Sequence, residues 1–525
     1  MHAARHRRAL PARLLTAAAA TVVGVVSAAA PAAATQGPRP QWSMGGYDLA
    51  NSRWNPLERS LRPSTVGDLA VKWAIASGDV SATPAVVDGA VYVPDWNGTF
   101  RKLDARTGRV LWSRSVAEYT GVAGTVSRTS PVVVGGTVYI GTQLGARLLA
   151  IDTRTGDLRW STVLDEHPAA VLTQSPVVHN GVVYQGVSSQ EEAFAADPAY
   201  PCCTFRGSMA AVDARTGAIR WKTPTIPDQG PGTDIFSGAA VWGSTPAVDP
   251  ASGTVYITTG NNYEMTQRAR DCQAAGGKPA DCLPAWNRIN SIIALDLRTG
   301  AVKWSTGQDR FDAWNVACIP GLPPNNCPPI PGPDHDFGDG AHLFTIAGPD
   351  AHPRRAVGAG QKSGEYWMLD ATTGAVLWSA AAGPGSALGG IEWGSASDGR
   401  RIFFTETNYD RLPYRLPDGQ TIDYSSFGAL DVATGRVLWQ VPEPHGGMAL
   451  GAVTTAGGVV YAGSLNGYMY AIDAATGKVR WEHQAGGSSA AGPAVVDGSV
   501  YWGNGYARFG TPGTTFYAFA VPRRP

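Results

Sequence analysis

The sequence predicts an all-β fold: an eight-bladed β-propeller whose ring is closed by strands from both chain ends. Three observations carry that expectation. The first is the pattern D-x-x-T-G-x-x-x-W, which occurs seven times: Asp104–Trp112, Asp152–Trp160, Asp213–Trp221, Asp296–Trp304, Asp370–Trp378, Asp431–Trp439 and Asp473–Trp481. Successive starts lie from 42 residues apart (Asp431 to Asp473) to 83 apart (Asp213 to Asp296). That is a core unit of about forty residues with insertions, the period of a propeller or solenoid. The second is that each unit reads as strands. ATPAVVDGAVYVPDW (Ala82–Trp96) places Asp88-Gly89 between two β-rich runs, a hairpin signal. The third is a pair of leftovers. LAVKWAIA (Leu69–Ala76) reads like the segment after a T-G turn, and TFYAFAV (Thr515–Val521) like the strand before one. Joined, they make an eighth blade and hide the strand edges; left apart, they leave seven blades.

Each part of the repeat has a physical reason. The Asp side chain accepts hydrogen bonds from turn amides, and the Gly supplies positive φ. The Trp buries a large area between neighbouring sheets. Seven tryptophans at one repeat position are therefore structural.

Residues 1–34 read as a signal peptide. A basic start (MHAARHRRALPAR) precedes an apolar stretch and the small-residue run PAAATQG, with cleavage after Ala34 or Ala30. Residues 35–525 then form a single propeller of a secreted or periplasmic protein, with no membrane span expected because no later segment is apolar enough. Lys+Arg and Asp+Glu are both 42, a balance that argues against nucleic acid or an anionic membrane as partner. Six cysteines in an exported chain suggest disulfides, with Cys272–Cys282 and Cys318–Cys327 each closing a short loop. There is no C-x-x-C-H for an attached haem.

LDARTGRVLW, AIDTRTGDLRW and AIDAATGKVRW resemble the tryptophan-docking repeats of quinoproteins, which bind pyrroloquinoline quinone (PQQ). Cofactor-free propellers, among them the outer-membrane assembly lipoprotein, share such repeats, so function rests on the site. Four segments break the repeat: VSSQEEAFAADPAYPCCTFRGS, WGSTPAVDPASGTVYITTGNNYE, PDHDFGDG and GAGQKSGEYWMLD. In that order they resemble the PQQ-dependent alcohol dehydrogenases, and CCTFRGS and TTGNNYE look closest to the polyvinyl-alcohol dehydrogenase branch.

The resemblance implies a site. Glu192 and Asn261 would hold Ca²⁺ together with Asp336, since a hard cation takes carboxylate and amide oxygens and polarises a quinone oxygen as a Lewis acid. Asp336 would be the base, and Lys362 would contact the quinone oxygens and stabilise charge on them. Glu191 and Asp334 stand beside Glu192 and Asp336 as alternatives. Gly338 occupies the position where lanthanide-using members carry an acid, which favours Ca²⁺. Trp242, outside the repeat frame, would be the floor under the cofactor. Arg128, Thr173, Ser188 and Arg206 would reach its carboxylates.

The adjacent Cys202 and Cys203 lack the C-x-x-C spacing of a redox pair and have no nearby ligand partners for a metal. The resemblance makes them a vicinal disulfide covering one face of the cofactor, although methanol dehydrogenases of the family carry their pair in an earlier blade and here it follows SSQEE in the same insertion. The insertions at about 262–290 and 313–333 would build a rim around the substrate entrance. The expected function is oxidation of an alcohol, polyvinyl alcohol or another secondary alcohol, by hydride transfer to PQQ, with electrons passed to an external cytochrome or quinone acceptor. The alternative is a non-catalytic scaffold or binding module. The alcohol, the acceptor and the oligomeric state have no signature in the sequence.

Overall fold

The strands alternate with turn residues as the repeat requires. In the computed structural model, which describes residues 41–522 apart from 231, 233 and 349–351, they form eight four-stranded antiparallel blades, two of which carry an extra strand. The proposed signal peptide lies outside the described residues. The first blade runs Ala85–Val87, Ala90–Pro94, Thr99–Asp104 and Val110–Ser115. The eighth takes three strands from the C-terminal end, Ala494–Val496, Ser499–Gly503 and Thr515–Ala520, and its outer strand, Ala70–Ala76, from the N-terminal end. These meet antiparallel from Ala70↔Ala520 to Ala76↔Thr515, which closes the ring. Inner strands such as Val459–Gly463 are buried throughout. Outer strands such as Val479–Gln484 alternate between part-buried and exposed, as a half-buried strand does.

The motif tryptophans lock blade to blade. Each donates its indole N–H to a backbone carbonyl of the next blade at 2.9–3.3 Å. The series continues through Trp481 to Leu69 O and from Trp73 to Ala105 O, so the bonds circle the ring. The motif glycine has a second duty besides its positive φ. A Cβ built on Gly156 would lie 2.9 Å from the Trp112 ring, so only glycine lets the indole pack flat on the turn.

The segment after residue 41 shows no periodicity, yet it organises the axis. Trp42 pairs with Val86, and Ser43, Leu49, Ala50, Ser52 and Arg53 accept backbone bonds from Val133, Val248, Leu343, Ser397 and Thr455. The Asn55 amide reaches Val495 O at 2.7 Å. Fourteen residues thereby touch the inner strand of seven blades.

Connectivity then decides where chemistry is possible. The first-to-second strand turns and the seven D-x-x-T-G turns lie at one end of the blades. The second-to-third strand loops and the blade-to-blade links lie at the other, and the long insertions all fall on that second face. These include residues 259–290, with helices Gln267–Ala274 and Pro279–Cys282, and residues 308–341. The insertion at 407–425, with its small hairpin, is one that sequence reading passed over. Cys272–Cys282 and Cys318–Cys327 are disulfides, as expected.

Candidate active site

Consecutive links bring distant residues to the same face. Arg128 precedes the second blade, Thr173 the third, Trp242 the fourth and Asp336 the fifth, while Asn261 and Lys362 sit on second-to-third strand loops. Asp336 is the centre of this set. Its Oδ1 accepts from the backbone N–H of Asn261 at 2.6 Å and its Oδ2 from Trp242 Nε1 at 2.7 Å. Gly260 permits this approach, because a Cβ there would lie 2.5 Å from Asp336 Oδ2. Lys362 Nζ lies 3.9 Å from that same oxygen and 5.3 Å from the Trp242 ring centre.

The two alternatives left by the sequence separate in space. Lys362 donates to Asp334 Oδ2 at 2.9 Å, so Asp334 is the ion-pair partner of the lysine, and its Oδ1 is buried without a protein partner. Glu191 is fully buried and its oxygens are taken by the backbone N–H groups of Thr204 and Phe205 and by Tyr200 OH. It holds the cysteine loop. The neighbouring Glu192 instead feels Lys362, Asp336 and Asp312.

Charge in this cluster is unbalanced. Burial alone would lower the Lys362 ammonium, but Asp334, Asp336, Glu392 and Glu192 outweigh it and hold the lysine well above its ordinary range. Burial pushes Glu192 up to about 7, with Lys362 opposing and Asp336 and Asp312 adding to the rise. Burial likewise pushes Glu392 up to about 8. More carboxylates than cations share this volume, and Asn261 Oδ1 is buried without a hydrogen-bond partner. Both features fit a hard cation. Among the described residues no cluster of three or more His, Cys, Asp or Glu could hold a metal, so carboxylates alone do not complete a site, and such an ion would also need the Asn261 amide and oxygens of a bound cofactor.

Trp242 also walls a cavity on the axial side, lined with Arg53, Arg128, Ser130, Thr173 and Trp393 among others. Thr173 Oγ1 is buried there without a partner. The Arg128 guanidinium lies 5.4 Å from the Trp393 ring and 5.9 Å from those of Trp96 and Tyr506, held by cation–π contacts. Arg53 is fully buried and donates to Val453 O, Gly45 O and Thr83 Oγ1. Arginines and free hydroxyls suit an anion's carboxylates.

The remaining expected residues do not line this cavity. Cys202 and Cys203 form a disulfide across their shared peptide, which is cis. Cys203 is buried with Phe205 and Tyr263 in an apolar cluster against which Cys202 and Trp242 also pack. Ser188 is buried at the end of its strand opposite Val171. Arg206 turns outward to Pro227 O and the exposed Asp228.

The repeats match the family model described as outer membrane protein assembly factor BamB over residues 67–306 and 423–513. A polyvinylalcohol dehydrogenase of Pseudomonas sp is 29% identical over 505 residues, covering 89% of this chain and 73% of that one. A second, from Sphingopyxis sp. (strain 113P3), is 30% identical over 551 residues, covering 94% and 78%. The chain belongs to the quinoprotein alcohol dehydrogenases. A quinohemoprotein alcohol dehydrogenase of Comamonas testosteroni is 26% identical over 565 residues, covering 89% of this chain and 73% of its own length. The solved structure from that organism shares the fold at a TM-score of 0.70 and 21% identity, covering 93% of this chain and 82% of its own. A europium-containing methanol dehydrogenase shares it at 0.66 and 18%, covering 92% and 98%.

The chain is thus a PQQ-dependent alcohol dehydrogenase with two site features that its sequence did not announce. Trp393 could have been found, because EWGS repeats the W-G-S of Trp242-Gly243-Ser244 outside the Asp-Trp motif. Arg53 could not, as its segment has neither period nor repeat. Gly338 lies between the two tryptophans in the cavity wall; a Cβ there would be 2.7 Å from Trp242 and 3.1 Å from Glu392.

Proposed function

We propose that this dehydrogenase oxidises a neutral secondary alcohol, polymeric or small, outside the cytoplasm, with Asp336 as base and Ca²⁺ held by Glu192, Asn261 and Asp336. The observation that carries the reading is the Asp336 carboxylate, fixed by Asn261 N–H and Trp242 Nε1–H beside Lys362 and next to the axial cavity. When bound, PQQ and Ca²⁺ supply the hydride acceptor and a Lewis acid. The chain supplies the rest. Each Asp336 oxygen keeps a second lone pair, so the carboxylate can take the hydroxyl proton. Lys362, kept charged by its four acids, would supply a fixed cation beside Asp336 to offset negative charge that grows on a bound cofactor. Arg128, Thr173 and Arg53 offer donors to the cofactor carboxylates, and the Trp242 indole offers a flat wall.

The rim supports a neutral substrate. Residues 313–333 contain no charged side chain and seven prolines, and they expose Ile319, Leu322 and Ile330. Asn326 ties this loop to the carbonyls of Ala195, Asp197 and Tyr200 on the cysteine loop. Two relatives are named for a polymeric secondary alcohol. Three disulfides among the described residues, together with the basic-then-apolar pattern of residues 1–34, support export to an oxidising compartment.

Calcium affinity tests the ligand set through pH. A carboxyl raised to about 7 is mostly protonated below that value and must lose its proton to bind the ion. Affinity at fixed PQQ should therefore rise roughly tenfold between about pH 6 and pH 8 and then flatten, with proton release visible by calorimetry in buffers of different ionisation heat. An affinity flat across that window removes Glu192 from the ligand set.

A further inference from the structure

Asp312 lies in the link between the fourth and fifth blades, and no functional reading of the sequence singles it out. It is fully buried. Its Oδ1 accepts from the backbone N–H of Asp334 at 2.9 Å. Its Oδ2 accepts from the backbone N–H of His335 at 2.7 Å and from Asn290 Nδ2 at 2.6 Å. The residue directly after this pair of amides is Asp336. The backbone around Asp312 is tied in the opposite direction. Asn262 N–H donates to Asp312 O at 2.9 Å, Trp314 N–H returns to Asn262 O at 2.8 Å, and Asn261 Nδ2 donates to Trp314 O at 2.9 Å. Asn290, besides holding the carboxylate, donates its backbone N–H to Gly260 O at 2.9 Å.

We propose that Asp312 is a positioning residue that sets the distance between Asp336 and Asn261. One carboxylate grips the turn that presents the base, while its own main chain is stitched to the loop that presents the amide. The Asp336–Asn261 contact at 2.6 Å therefore closes a frame of which Asp312 is the opposite corner. A carboxylate is required at that corner because it accepts at both oxygens; an asparagine would turn an N–H₂ donor toward one of the two backbone N–H groups. Close to a reacting centre, a shift of about 1 Å is enough to cost up to about a hundredfold in rate. This inference rests on Asp336 as the base.

The test compares Asp312→Asn with the unsubstituted enzyme, both loaded with PQQ and Ca²⁺, using a dye acceptor and a small secondary alcohol. The expected result is a kcat lower by about ten- to a hundredfold, with KM for the alcohol and PQQ affinity within about twofold. A kcat equal to that of the unsubstituted enzyme overturns the proposal. So does a parallel loss of PQQ affinity and kcat, which marks a merely structural residue. Should Asp312→Asn not fold, Asn290→Ala, which leaves both amide bonds intact, is read the same way, with a fall in kcat of a few fold at unchanged PQQ affinity. If the unsubstituted loaded enzyme oxidises no alcohol, it is the base reading that fails, and the comparison separates the two.

Discussion

Asp336→Asn should lower kcat by about 10²- to 10⁴-fold, the range a positioned general base contributes, while PQQ still binds at saturating Ca²⁺. The substitution keeps the side-chain volume and one acceptor for the Asn261 N–H at this buried site. It removes the proton acceptor and turns an amide N–H₂ toward Trp242 Nε1–H or Asn261 N–H, neither of which can accept. Stopped-flow reduction of a dye acceptor reads kcat, and fluorescence quenching reads PQQ retention. A variant that turns over at the unsubstituted rate takes Asp336 out of the base role. A variant that loses PQQ instead makes the carboxylate a binding group first.

Lys362→Met should carry the largest penalty on stability. The ammonium is buried, bonds Asp334 at 2.9 Å and offsets three further carboxylates. Breaking a buried ion pair by removing one partner costs about 3–5 kcal/mol, because the other charge is left without compensation. The pH dependence has a definite sign. Without the lysine, Asp334, Glu192 and Glu392 keep folded-state values above their unfolded ones, so folding is penalised increasingly as pH rises above about 4. The deficit in melting temperature should be smaller near pH 5 than near pH 8. Equal deficits at both pH values contradict this placement of the lysine, and dye reduction should fall with it because the fixed cation beside Asp336 is gone.

The architecture was legible because its cause is repeated. Every Asp-Trp motif carries its own turn chemistry, and each tryptophan needs a neighbouring blade to receive its N–H. Even the closure could be read, since Ala70–Ala76 and Thr515–Ala520 are two halves of one unit. The axial segment from Trp42 to Asn55 was not legible. Its bonds run through main-chain groups of seven blades, and such bonds leave no pattern of side chains.

The site was legible as a set of residue types and less so as a geometry. Asp336, Asn261, Trp242 and Lys362 do converge, but no spacing showed that Lys362 pairs with Asp334 and leaves Asp336 to Trp242 and Asn261. Glu191 and Glu192 are adjacent on a short helix and point to different tasks, one capping the cysteine loop and one facing the acid cluster. Arg206 illustrates the reverse case: an arginine close in sequence to the cysteine pair finds its partner in Asp228 and leaves the cavity to Arg128 and Arg53. Among the described residues the opposite face of the propeller holds turns, so the long insertions and the site residues carried on links and second-to-third strand loops share one end for a topological reason.

The most direct measurement is calorimetric titration of PQQ into the apoprotein with Ca²⁺ present. Binding of one PQQ per chain that is weakened when a chelator removes Ca²⁺, followed by alcohol-dependent dye reduction, is the predicted result. Absence of PQQ binding with Ca²⁺ present contradicts the proposed site.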